Sequence, residues 1–185
     1  MQKTSKSISI LVLVLLFTAS LARGQSTSGA TTINVTVAAE AALTVTTGTT
    51  NLTSTGTTFN NYTGTTNLTY FIRTTAAGGT GNIVLQVTSD FNPAGGPAGG
   101  TPPTAGDTLA YTCTVANPGN NGTATACSGS VTSSTSAQTS VASFGADARS
   151  LKGGNSALAA WTLTNDPKYK TGSYSATVTF TISAT

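Results

Sequence analysis

The sequence predicts an all-β protein: one antiparallel β-sandwich domain, residues 25–185, behind a cleaved leader, residues 1–24. Three observations predict it. Apolar and polar residues alternate with period two in short runs from end to end, Gly-, Asn- and Pro-containing turn signals separate those runs, and no stretch beyond the leader has a helical period. Alternation puts successive side chains on opposite faces of a strand, one toward a core and one toward water. Short strands at such spacing argue for a sandwich or barrel.

The leader comes first. Lys3 and Lys6 precede the apolar run 8–17 (ISILVLVLLF), and small residues follow over 18–24 (TASLARG). A basic start, a core of this length and a small-residue zone form a secretory signal peptide. Cleavage after Ala22 or after Gly24 satisfies the small-residue rule. A membrane helix takes about 20 apolar residues, roughly twice this run, so the mature protein is expected to have no transmembrane segment. No Cys follows the run to carry a lipid. The expected destination is the cell surface or exterior, reached through the general secretory pathway.

Removing the leader changes the charge argument. The whole chain has a net charge of +3, but Lys3, Lys6 and Arg23 leave with the leader. Arg73, Arg149, Lys152, Lys168 and Lys170 then stand against Glu40, Asp90, Asp107, Asp147 and Asp166, for a net charge of zero. Nucleic acid, which is held by unbalanced positive charge, is therefore not an expected partner. In place of charges the chain carries 40 Thr. Their hydroxyls keep the surface polar while the branched Cβ favours strands.

The strand candidates, in order, are 33–37 (INVTV), 43–46 (LTVT), 67–73 (NLTYFIR), 82–88 (NIVLQVT), 108–115 (TLAYTCTV), 139–144 (TSVASF), 157–163 (ALAAWTL) and 174–183 (YSATVTFTIS). The heptapeptide TGTTNLT occurs twice, at 47–53 and 63–69. This composition favours a Thr/Gly turn leading into a strand, used twice, over a two-copy binding motif. Residues 92–106 (NPAGGPAGGTPPTAG) are read as a long hairpin loop between neighbouring strands of one sheet. No fixed short repeat supports a β-solenoid.

Cys113 and Cys127 are the only cysteines. An even count in an exported chain reads as a disulfide, and the turn-rich 117–122 (NPGNNG) between them lets two strands fold back and bring the thiols together. A redox pair favours C-x-x-C, and a zinc site needs four ligands. The chain has no His, so neither a metal nor a cofactor is expected. The spacing Asp107-x-Leu109-x-Tyr111-x-Cys113 matches the immunoglobulin pattern in which Tyr makes a corner. There, however, the Cys pairs far upstream. Here its partner lies downstream, and Trp161 is on the wrong side.

No catalytic residue is predicted. Without His, Ser–His and Cys–His nucleophile systems are absent, and the five acids are scattered singly, so the chain is not expected to be an enzyme. Tyr62 and Tyr169, placed in loops, are candidates for stacking on a glycan. Tyr70 and Trp161 alternate with polar neighbours and are read as core.

Three parts of the chain together resemble secreted bacterial β-sandwich subunits of the spore-coat-U and archaic fimbrial pilin type. They are an alternating segment just after the leader (32–38, TINVTVA), the strand NIVLQVTSD running into the Gly/Pro-rich loop, and a terminal G-x-Y-x-x-x-V-x-F-x-I strand over 172–182. The sequence departs from the pattern in lacking an early Cys. The resemblance implies an Ig-like, pilin-like sandwich and assembly by strand donation, with Ile33, Val35 and Val37 as the donor face. An ordinary first strand within its own domain is the competing reading of that segment. The expected function is a surface structural protein, a pilus or coat subunit that associates with itself or with other surface subunits. The alternative is a monomeric adhesin or carbohydrate-binding module.

Overall fold

The computed structural model describes residues 29–99 and 107–185. The leader lies outside them, and the loop 92–106 is described only to Gly99. The chain divides into two units, Met1–Val35 and Thr36–Thr185. Of the first, residues 29–35 are described and form no strand. Among the described residues, all of the sheet structure belongs to the second.

Ten strands make two antiparallel sheets: β1 (Glu40–Val45), β2 (Thr53–Ser54), β3 (Tyr62–Arg73), β4 (Gly81–Asn92), β5 (Ala110–Val115), β6 (Ala124–Ala126), β7 (Val131–Thr132), β8 (Thr139–Phe144), β9 (Asn155–Leu163) and β10 (Ser175–Ala184). The first sheet has the order β1-β3-β9-β5-β7, with β2 also on β3; the second has the order β10-β4-β8-β6. No helix occurs among the described residues. The fold is a β-sandwich.

Alternation builds the core. On β3, Thr66, Leu68, Tyr70 and Ile72 are buried; on β4, Ile83, Leu85 and Val87; on β9, Ala157, Ala159, Trp161 and Leu163. The two inner faces interdigitate through rings. Tyr70 of the first sheet meets Phe144 of the second at 4.9 Å, and Trp161 meets Phe180 at 6.5 Å. Such pairs are worth about 0.5–1.5 kcal/mol beyond their burial. The polar tips are satisfied. Tyr111 Oη donates to Thr139 Oγ1 and Ser140 O across the sheets, and Trp161 Nε1 donates to Thr66 Oγ1 at 2.8 Å. Loss of solvation pushes the Tyr70 hydroxyl from 10.0 up to about 12. Tyr70 and Trp161 are thus core residues, as their alternation predicts.

Three expectations are corrected. Residues 33–37 form no strand; the first strand starts at Glu40. Alternation supplies the right side-chain pattern, but a strand also needs a neighbour to bond. The loop from residue 92 does not join neighbours in one sheet: β4 belongs to the second sheet and β5 to the first, so the connection crosses the sandwich. The Cys113–Cys127 disulfide is present, but not between paired hairpin strands. Cys113 is on β5 of the first sheet, and Cys127 follows β6 of the second. The turn-rich 117–122 makes an arch between layers, and the bridge ties the two sheets. Closing a loop of this length contributes about 3 kcal/mol in the chain-entropy model.

Candidate functional site

The two long sides of the sandwich differ. On one, the edges are β6 and β7, three and two residues long, with the disulfide alongside. On the other, the edges are β1 and β10, six and ten residues long, which lie beside each other without being paired. Short edges are a standard protection against pairing with another chain; a long, flat, uncharged edge is a template for it. β10 (SATVTFTISA) carries no charge and no Pro.

Burial marks the same side as incompletely covered. The inward residues of β10 (Ala176, Val178, Phe180, Ile182 and Ala184) are all only half-buried, although β4 beside them buries Ile83 and Leu85 completely. Ala41 and Leu43 of β1 are half-buried against the same core, and Val45 is 42% exposed. β1 is held on its other side by β3, from Glu40↔Arg73 to Val45↔Leu68. An Arg73–Glu40 ion pair of 2.8 Å closes that register. Sequence reasoning finds β10 as a strand but cannot see that it is an edge, because edge status is decided by sheet order.

Before β1, Ile33, Val35 and Val37 are exposed at 88%, 82% and 63%. Three β-branched side chains spaced i, i+2, i+4 fall on one face if the segment is extended. No β-ladder includes residues 29–39.

The aromatic candidates separate. Tyr62 is not in a loop: it opens β3, paired with Ser54 and Leu163, and is half-buried. Tyr169 is in the β9–β10 connection, as expected, but its hydroxyl is buried without a hydrogen-bond partner. A surface groove of about 500 Å³ is lined by Glu40, Ala41, Phe71, Arg73, Arg149 and Leu151, among others, and by neither tyrosine.

Beside Tyr169 is a polar cluster that the sequence does not announce. Lys168 Nζ contacts Asp107 Oδ2 and lies 3.1 Å from Asp166 Oδ2. The Asp107 side chain is 6% exposed. An Asx-type turn, with Lys168 N donating to Asp166 Oδ1 at 2.9 Å, presents the lysine. Hydrogen bonding to Asp107, then to Asp166, raises the Lys168 pKa against the opposing effect of desolvation. Asp166 is lowered, chiefly by the backbone N–H of Lys168 and then by its side chain. Tyr169 is raised by burial first and by the Asp107 charge second. The only signal in the sequence is Asn165-Asp166-Pro167, a combination typical of turns.

Among the described residues, no three His, Cys, Asp or Glu side chains group as a metal site, and no helix is long and apolar enough to cross a membrane. No family model matches this chain, and neither does any curated protein or solved structure.

Proposed function

We propose that this chain is a secreted, cell-surface structural subunit, a pilus or coat component whose copies join by strand complementation. The single observation behind this reading is the pair of long, unpaired edges on one side of the sandwich. There two long edges, β1 and the uncharged β10, lie beside each other unpaired and leave Leu43, Val178, Phe180 and Ile182 only half-buried. The occupant proposed is the alternating segment 29–39 of a second copy. Added as a strand, it would bond its backbone to a free edge and turn Ile33, Val35 and Val37 onto these half-buried side chains. Each such side chain taken from water contributes about 1.5–3 kcal/mol.

The reading carries with it an Ig-like, pilin-like sandwich and export behind the predicted leader, with which the disulfide is compatible. A glycan-binding module draws less support. It would use exposed aromatics, but Trp161 is buried, Tyr62 is half-buried in a strand and the Tyr169 hydroxyl is enclosed.

Deleting residues 25–38 from the secreted protein tests the assignment. Electron microscopy of the full chain is expected to show filaments, and the expected product of the deletion is a folded monomer, with native circular dichroism and an intact disulfide, that forms none. An unfolded product would return the segment to the role of an intrinsic strand. A full-length protein that stays monomeric would overturn the assembly reading.

A further inference from the structure

The Lys168 cluster is not explained by the unpaired β1 and β10 edges. Asp107 precedes β5 in the first sheet, and Lys168 lies in the connection leading to β10 in the second. Their side chains meet across 61 residues of chain. A lone ion pair of this kind, with one partner buried, sacrifices solvation for little net stability. Three further features exceed what an ion pair needs. A second carboxylate, Asp166, reaches the same Nζ at 3.1 Å. The Tyr169 ring lies 5.8 Å from Nζ. The Tyr169 hydroxyl is buried without a partner, close enough for the Asp107 charge to raise its pKa.

We propose that Lys168 and Asp107 condense into a side-chain amide, an intramolecular isopeptide bond that fastens the start of β5 to the β9–β10 connection. The ammonium of Lys168 first yields a proton to the Asp107 carboxylate that it contacts, leaving a neutral amine and a neutral acid. Nζ then attacks Cγ of Asp107 to form the Nζ–Cγ bond. The Asp166 carboxylate takes the second amine proton and delivers it to the departing hydroxyl of Asp107. The Cγ–O bond breaks and one water leaves. The charges of the pair cancel before and after, and no oxidant, metal or nucleotide takes part. Holding amine and acid in contact supplies the driving advantage, since effective molarities in such arrangements reach about 10⁵ M or more. The inference is independent of the filament reading: a monomer would carry the bond equally.

Peptide mapping of the secreted protein, reduced and alkylated so that the disulfide cannot join fragments, decides the matter. No Lys or Arg lies between 74 and 148, so trypsin releases Asp107 in the fragment 74–149. A linked Lys168 also blocks cleavage after itself. The expected product is one branched species joining 74–149 to 153–170, lighter by one water than the two peptides together. Separate 74–149 and 153–168 from folded wild-type protein would overturn the proposal. Lys168→Arg keeps the ion pair but not the nucleophile and should yield no branched species. Asp166→Asn should leave the fold unchanged and slow formation about a hundredfold, the usual scale for losing a positioned proton carrier. A branch formed at the wild-type rate in that variant would overturn the role given to Asp166.

Discussion

The chain contains one seven-residue sequence twice and folds it two ways. TGTTNLT at 63–69 runs wholly within β3, while TGTTNLT at 47–53 is irregular until Thr53 enters the two-residue β2. The later copy has β9 along its full length, from Thr63↔Thr162 to Thr69↔Ser156, and β1 against Leu68 and Thr69. The earlier copy has only Thr53↔Thr63. The flanking residues differ too: YFIR extends the alternation after Thr69, whereas STGTTF interrupts it after Thr53. Strand propensity is thus a statement about neighbours rather than about a peptide in isolation. The two copies also touch. Thr50 and Thr66, the same position in each, share a hydroxyl hydrogen bond of 2.6 Å, and Thr47 Oγ1 accepts from Asn67 N at 3.1 Å. The irregular copy lies over the regular one.

The largest expected contrast is at the shared leucine. Leu68 is 2% exposed in the core, whereas Leu52 only packs against it, partly buried. Leu68→Ala should cost about 2–5 kcal/mol, the range for emptying a core site. Leu52→Ala should cost about 1 kcal/mol, for less area returned to water. Urea unfolding midpoints measure both. Equal losses would mean that the copies are energetically alike and that the contrast is one of shape only.

The shared glycine gives the next contrast. Nothing approaches within 4 Å of a Cβ built at Gly48, but one at Gly64 meets Leu52 Cδ2 at 2.7 Å and Asn51 O at 2.9 Å. The backbone oxygen cannot turn aside as a side chain can. Gly64→Ala should therefore lift the earlier copy and cost about 1–3 kcal/mol, as overpacking does, while Gly48→Ala stays within about 0.5 kcal/mol. Adding Leu52→Ala to Gly64→Ala removes one of the two clashes, so the double variant should lose less than the sum.

The repeat also shows where sequence reading stops. Alternation places the strands from 139 to 144 and over most of β3, β4, β9 and β10, because those residues bury one face and the pattern records it. It says nothing of which strands are neighbours. For that reason 33–37 looks like a strand, 92–106 like a hairpin, and β10 like any other strand rather than an open edge. β6 and β7 are too short to leave a period. The even cysteine count points to the disulfide, yet that the bridge spans two sheets depends on the arch at 117–122. The meeting of Lys168 with Asp107 is a product of topology alone, across a sequence separation of 61. Local pattern reports burial; partners come from the order of the sheets.

The smallest contrast is at the shared fourth position, and it has the cleanest reporter. Thr66 is 5% exposed, and its Oγ1 accepts from Trp161 Nε1; Thr50 bonds to Thr66 instead. Thr66→Val keeps the volume and removes the acceptor, leaving a buried N–H unpaired at a cost of about 1 kcal/mol. Thr50→Val gives up the part-buried hydroxyl bond to Thr66 and a long, exposed one to Thr65 O and should cost about 0.5 kcal/mol. Trp161 is the only tryptophan in the chain, so intrinsic fluorescence reads this hydrogen bond directly. Emission should move to shorter wavelength in Thr66→Val, because the excited indole loses its polar partner, and should stay in place in Thr50→Val. A shift in both would show that the earlier copy's hydroxyl polarises the later one's. The two halves of the repeat would then act as a single hydrogen-bonded chain ending on the indole.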